Sequence, residues 1–323
     1  MWKILSYITK NLVFFIPLSL FLGFIAGYFL NLQFLKSLIL FFTFIMIYPM
    51  MVNLKFKKVF EGGDFGLIFV AQILNFLIIP FLAYEIGLFF FKDDYYLTLG
   101  LLMAGLVPTS GMTISWTGLA KGNVEAAVKM TVIGLILGSI ALPLYVQLLM
   151  SAHIEVDMWY IFKQIIFIIF LPMIAGYVTQ QYLLKTYSPQ KLQKEIAPKL
   201  SGISTLGVLG IVFIAMALKA KEILSQLSLI FYIFLPLLIL YIFNFLSSTL
   251  VGKIFFKRED AMALVYGTVM RNLSICLAIS MMTYGKEHPE VALVIALAFI
   301  IQVQSAAWYV RFSNRIFGSP KLQ

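Results

Sequence analysis

The sequence predicts an all-α membrane protein of about ten transmembrane helices, and three observations carry that prediction. Of its 323 residues 62% are hydrophobic and 12% charged, at a mean hydropathy of +0.97. A water-soluble domain carries roughly 45–50% apolar and about 25% charged residues, so this chain lacks the polar surface to cover a soluble globule. Its apolar residues gather in runs of about 20, the length at which a helix rising roughly 1.5 Å per residue crosses about 30 Å of hydrocarbon. The net charge of +10 is spread between those runs instead of lying on one stripe, which marks membrane orientation and not a nucleic-acid partner.

The runs fall at Leu12–Leu30, Phe34–Leu54, Phe65–Phe91, Tyr95–Ala120, Val124–Met150, Met158–Leu184, Ser201–Leu218, Leu227–Val251, Ala261–Tyr284 and Pro289–Phe312. The first follows a basic start, yet no small-residue cleavage site precedes the next run, so it reads as a retained span and not a signal peptide. Lys185–Lys199, the longest polar stretch, contains Ser188-Pro189 and reads as an amphipathic linker. Cys276 is the one cysteine and cannot form an internal disulfide, and no Cys/His cluster has metal spacing.

When the connections are assigned alternately to two sides, 17 of the 24 Lys and Arg fall on one side, among them Lys55, Lys57, Lys58, Lys121, Lys129, Lys253, Lys257 and Lys321. Six fall on the other, and Arg271 remains inside a span. This bias predicts an integral plasma (inner) membrane protein with both termini in the cytoplasm.

The chain divides best near Ser151, before an acidic loop with His153, Glu155 and Asp157, into repeats over 1–152 and 153–323. Five spans in each half insert the second half upside down, the inverted-topology repeat of secondary transporters. The halves share a pattern at corresponding places. Pro108-Thr109-Ser110-Gly111 interrupts the fourth span and Met270-Arg271-Asn272 the ninth, so both are expected to be discontinuous. Paired interruptions are the best sequence pointer to a transporter's site.

Pro108 has no amide proton, and Thr109, Ser110 and Thr113 supply short hydroxyls that either cap the second half-helix or face a solute. Arg271 and Asn272 lie near the bilayer midplane, where an arginine costs at least about 2.5–3.5 kcal/mol and must face a polar interior. Its guanidinium fork suits a carboxylate or another oxyanion, helped by the partial positive charge of half-helix N-termini. The plainer alternatives are a packed proline kink and a structural cation held by backbone carbonyls. Gln72 and Asn75, three residues apart on one face of the third span, and Gln302 in the tenth join the candidate substrate-binding set. Thr131, Asn244, Ser247, Ser248 and Thr249 read as interhelical hydrogen-bonding groups. His153 and His288 fall in external loops, and Trp116 lies beside the first interruption. An enzyme would need a nucleophile, a metal or an acid–base set, and hydroxyls around an arginine lack a base.

Pro108, Leu119-Ala-Lys-Gly-Asn-Val124 and Val269-Met-Arg-Asn272, within ten spans, resemble the bile acid/sodium symporter superfamily, which includes the Acr3-type arsenite permeases. The resemblance implies a panel of helices 1, 2, 6 and 7 and a core of helices 3, 4, 5, 8, 9 and 10, with crossed discontinuous helices 4 and 9. It also implies a sodium site, whose surviving matches are Gln72, Thr113, Thr131 and Asn272. The chain departs from that pattern where sodium-coupled members carry a glutamate, here Gly267, where a glutamine is replaced by Arg271, and where an asparagine is replaced by Ile114. One carboxylate is gone and one fixed cation has entered. The expectation is a secondary transporter for a small organic or inorganic anion, with the lipid bilayer and the solute as partners, no cofactor and no confident metal site. The alternatives are arsenite or antimonite efflux and sodium-coupled organic-anion symport.

Overall fold

The computed structural model describes residues 2–54, 63–92, 94–225 and 228–318. Among them the chain is helical, and the one β feature is an isolated bridge between Pro108 and Arg271. Seven helical runs are long and apolar enough to cross a membrane, and the shorter apolar helices Phe14–Phe29, Tyr95–Leu106 and Leu273–Thr283 fall in the first, fourth and ninth expected spans. Phe65–Phe91 and Val124–Met150 begin and end where hydropathy places them. Phe14, Phe21, Phe69, Phe89, Phe167 and Phe231 are each more than half exposed, an arrangement that only a hydrocarbon surround makes favourable.

Two expectations change. The linker over 185–199 is largely helical: Ser188 caps a turn at Pro189–Lys191, which runs through a π-helical turn at Leu192–Ile196 into Ala197–Ser225. Ser at the N-cap with Pro at the first helical position starts a helix, so Ser188-Pro189 opens the seventh span. Lys129, sorted with the loop charges, is 2% exposed within Val124–Met150. Its Nζ lies 3.0 Å from Asp64 Oδ2 and 3.1 Å from Glu125 Oε1. Lys55, Lys57, Lys58 and Lys321 lie outside the described residues.

The chain forms two compact units. The first comprises Met1–Leu54, Asp157–Phe231 and Ser274–Ala296. Its helices pack through glycines: a Cβ on Gly23 would lie 2.6 Å from the Phe213 carbonyl oxygen, and one on Gly27 would overlap the Ala217 backbone. Without a hydrophobic force between helices in lipid, such close van der Waals approach is a main source of association.

The second unit comprises Lys55–Val156, Tyr232–Leu273 and Leu297–Gln323. A polar knot ties three of its helix starts together. The Asn123 side-chain amide donates to Asp64 Oδ1 at 2.9 Å and to Asp260 Oδ1 at 2.8 Å. Asn123 Oδ1 accepts the Ala126 amide at 3.0 Å and so caps the fifth span.

Candidate functional site

The fourth span stops at Val107 and restarts at Gly111, giving half-helices 4a (Tyr95–Leu106) and 4b (Gly111–Leu119). Val107 is extended, Pro108 offers no amide, and Thr109 sits at φ +63°, a left-handed conformation that a β-branched residue rarely adopts. That strain is offset by local bonding. The Thr109 hydroxyl donates to the Pro108 carbonyl at 2.6 Å and lies 3.2 Å from the Met130 carbonyl of the fifth span. Ser110 Oγ accepts the Met112 amide at 3.2 Å, and Thr113 Oγ1 accepts the Ser110 amide at 3.1 Å, a reciprocal capping box. The fifth span receives this break in a groove of two glycines one turn apart. A Cβ on Gly138 would lie 2.9 Å from Pro108 Cδ, and one on Gly134 would run into the Thr109 hydroxyl.

The ninth span divides in the same way into 9a (Arg258–Val269) and 9b (Leu273–Thr283), with Met270 extended between them. The two breaks meet along their backbones: Pro108 and Arg271 form an antiparallel bridge, and the Asn272 amide donates to the Val107 carbonyl at 2.8 Å. The Arg271 backbone is also held by Gln302, whose Oε1 accepts its amide at 2.8 Å while Nε2 donates to its carbonyl at 3.2 Å. Tyr241 donates to the same Gln302 Oε1 at 3.0 Å. Gln302 therefore braces the break, and its amide is committed to the Arg271 backbone and to Tyr241.

Two asparagines flank the C-terminal end of 9a. Asn75 Nδ2 donates to the Gly267 carbonyl at 3.1 Å and Asn244 Nδ2 to the Thr268 carbonyl at 3.0 Å. Helix ends leave such carbonyls without intrahelical partners, and here two side-chain amides supply them. Asn75 sits in a π-helical turn, Leu74–Ile78, just before Pro80. Pro80 cannot donate to the Phe76 carbonyl four residues back, and the Tyr145 hydroxyl donates there instead. The carbonyls facing both amide nitrogens fix which end of each side chain is oxygen, since a flip would set oxygen against oxygen. Asn75 is fully buried and Asn244 is 2% exposed, and no hydrogen-bond donor among the described residues reaches either Oδ1. A buried acceptor left so costs about 1–3 kcal/mol.

Arg271 is 1% exposed and lines a narrow void of about 10 Å³, together with Tyr241, Asn244, Gly105 and Ile79. Of the residues singled out from the sequence, the structure brings Thr109, Ser110, Thr113, Arg271, Asn272, Asn75 and Gln302 to the breaks or their supports. Thr131 donates to the Ala127 carbonyl at 2.7 Å and lies 3.5 Å from the Ser110 carbonyl. Gln72 is half-buried, and its amide has no hydrogen-bond partner among the described residues. Asn244 and Tyr241 emerge as cavity residues. The signal for Asn244 was present in the polar run Asn244, Ser247 and Ser248, but nothing in the sequence separated it from an ordinary interhelical bond. Gly267 faces the fifth span, where a Cβ would lie 2.5 Å from Met130 Sδ. Trp116 stacks with Tyr266 at 6.5 Å, His153 stacks on Tyr95 at 4.2 Å, and Cys276 is buried.

Two helix breaks that meet along their backbones and gather buried polar side chains there, within a chain of apolar helices, mark an integral membrane secondary transporter. The chain belongs to the Sodium Bile acid symporter family, whose model matches residues 38–226. It is 28% identical over 216 residues to the "Arsenical-resistance protein Acr3" of Alkaliphilus metalliredigens, covering 62% of this chain and 60% of that relative's length. It is 24% identical over 255 residues to the "Uncharacterized protein YbaS" of Bacillus subtilis, covering 79% and 81%. The "Uncharacterized sodium-dependent transporter YocS" of the same organism is 25% identical over 215 residues, covering 65% and 64%.

Proposed function

We propose that this transporter carries a small organic or inorganic anion by alternating access, without a coupled sodium ion, in the plasma (inner) membrane with both termini cytoplasmic. The observation that carries the reading is Arg271, a cation where the two breaks meet, 1% exposed and lining the narrow void beside Asn244. A guanidinium at that depth offers a negative solute a charged fork in a medium where Coulomb attraction is little screened.

The side chains at the sodium positions support the same reading. The Thr131 and Thr113 hydroxyls are engaged with the backbone of the fifth span and of 4b. Gly267 brings no carboxylate, and the Met130 thioether stands where its side chain would begin. A sodium ion placed there would lack its anionic ligand and share the break with a fixed cation. Thr109, Ser110 and Thr113 act, in this proposal, through the shape of the break and not by touching solute. The assignment of helices 1, 2, 6 and 7 to a panel and helices 3, 4, 5, 8, 9 and 10 to a core is supported by the two compact units, with the difference that 274–296 group with the first.

Uptake into proteoliposomes tests the proposal: replacing sodium by potassium is expected to change the rate less than twofold, and Arg271→Ala to abolish solute binding. A steep sodium requirement overturns the sodium-free reading. Efflux of arsenite is the second reading, favoured by the names of relatives such as the Alkaliphilus protein. It gives Cys276 a thiol role, so arsenite tolerance of an efflux-deficient host would have to fall with Cys276→Ser.

A further inference from the structure

Lys129 breaks two local rules at once. It lies in the second turn of Val124–Met150, near the partial positive charge of the helix N-terminus, and it is 2% exposed. Its partners account for it. Helical side chains lean back towards the N-terminus, and the Lys129 ammonium is carried that way to Glu125 Oε1 at 3.1 Å and Asp64 Oδ2 at 3.0 Å. Asp64 is drawn out of the usual role of its position to meet it. Standing at the N-cap of the third span at φ +58°, it makes no side-chain capping bond to its own helix. One of its oxygens takes Lys129, and the other accepts the Asn123 amide, which also donates to Asp260 Oδ1. Gly63, at φ +96°, brings the chain so near that a Cβ there would lie 3.8 Å from Lys129 Nζ. The Asn123 backbone amide adds a second link to 9a, donating to the Glu259 carbonyl at 2.8 Å. Arg258, beside these acids in sequence, instead donates to the Gly318 and Lys121 carbonyls and to Asn314 Oδ1. Half-helix 9a is therefore held at both ends, at Glu259 and Asp260 by this knot and at Arg271 and Asn272 by Gln302 and Val107.

We propose that Lys129 is a positioning residue that acts as a built-in counter-ion. Its ammonium stands where a dissociable cation would otherwise be needed to hold the starts of the third, fifth and ninth spans together, and so seats 9a without one. The ion-free seating of 9a rests on the sodium-free reading above, whereas the charge balance of the knot does not. Removing one partner of a buried ion pair strands the other charge, and the carboxylates left behind here would have to recruit a cation from solution.

The test melts the full chain in lipid nanodiscs in the chloride salts of sodium, potassium, ammonium or N-methylglucamine at equal ionic strength, the last cation being too bulky for the knot. The unaltered chain is expected to melt within about 2 °C in all four. Lys129→Met is expected to melt about 5 °C or more below it in N-methylglucamine and to regain at least about half of that loss in one of the small cations. Hydrogen exchange over 258–269 should rise at least about threefold in the same variant and fall back with the same cation, a response that lost packing alone does not create. Melting in N-methylglucamine equal to that of the unaltered chain overturns the inference. So does a loss that no small cation restores, or exchange over 258–269 that stays raised when melting recovers. If Lys129→Met yields no folded protein, the double variant with Asp64→Asn decides: folding that returns when both charges go supports the counter-ion, and folding that stays lost overturns it. A sodium-specific shift of the unaltered chain overturns the sodium-free reading and leaves the charge balance of the knot to stand on Lys129→Met.

Discussion

The break in the fourth span and the break in the ninth are built alike in backbone and differently in chemistry. Each follows a half-helix of 12 residues, Tyr95–Leu106 and Arg258–Val269, and each passes through extended residues before restarting. Around Pro108 the side chains close on the protein itself. Thr109 bonds to carbonyls, Ser110 caps the Met112 amide and Thr113 the Ser110 amide, and two glycines of the fifth span seat the turn. Around Arg271 the backbone is equally well held, by Gln302, Val107 and Pro108, but there a cation is buried and the Asn75 and Asn244 side-chain oxygens meet no hydrogen-bond donor among the described residues. The difference teaches a division of labour: the fourth-span break is the mould, and the ninth-span break carries the charge.

Substitutions that respect or violate this division should separate the two. The largest effect is expected at Gly134. Leucine there would drive a side chain through the Thr109 hydroxyl and the Pro108 carbonyl, and overpacking of this kind typically costs about 1–3 kcal/mol and occasionally more. The melting temperature should fall by many degrees and uptake should vanish; an unchanged melting curve would mean that the groove does not seat the break.

Gly267→Glu probes the other side. A carboxylate four residues before Arg271 competes with the solute for the cation, so anion affinity should drop at least tenfold, with a modest loss of stability from the displaced Met130 thioether. Adding Met130→Ala should restore the melting temperature and leave the affinity low. Recovery of affinity together with packing would assign the loss to shape and not to charge.

The smallest effect belongs to Ser110→Ala, which removes an N-cap worth about 1 kcal/mol. Thermal unfolding should shift by a few degrees while solute affinity, measured by titration, changes less than threefold. A hundredfold loss of affinity would make Ser110 a ligand and dissolve the distinction between the breaks.

Much of this was readable before any coordinates. Pro108 and Arg271 marked both interruptions because each violates a local rule, one of helix hydrogen bonding and one of membrane burial. The roles of their neighbours were harder to read. Gln302 reads from its depth as a solute ligand, and in the fold its amide bonds to the Arg271 backbone, while Asn244 reads as interhelical glue and also lines the narrow void. The seventh span's start was hidden because Lys191, Lys194 and Lys199 lower hydropathy without preventing a helix, which Ser188-Pro189 then opens.

The sequence alone determined the placement of the spans apart from the seventh's start, the positions of both breaks and the burial of one arginine. Length, hydropathy and proline act locally, and a bilayer enforces them on any chain. Only the tertiary structure decided which polar groups satisfy one another. Asn75 meets Gly267 across 192 residues and Gln302 meets Arg271 across 31, pairings set by which helices pack side by side. No local propensity encodes such a partnership, because a buried amide bonds equally well to any carbonyl brought within reach.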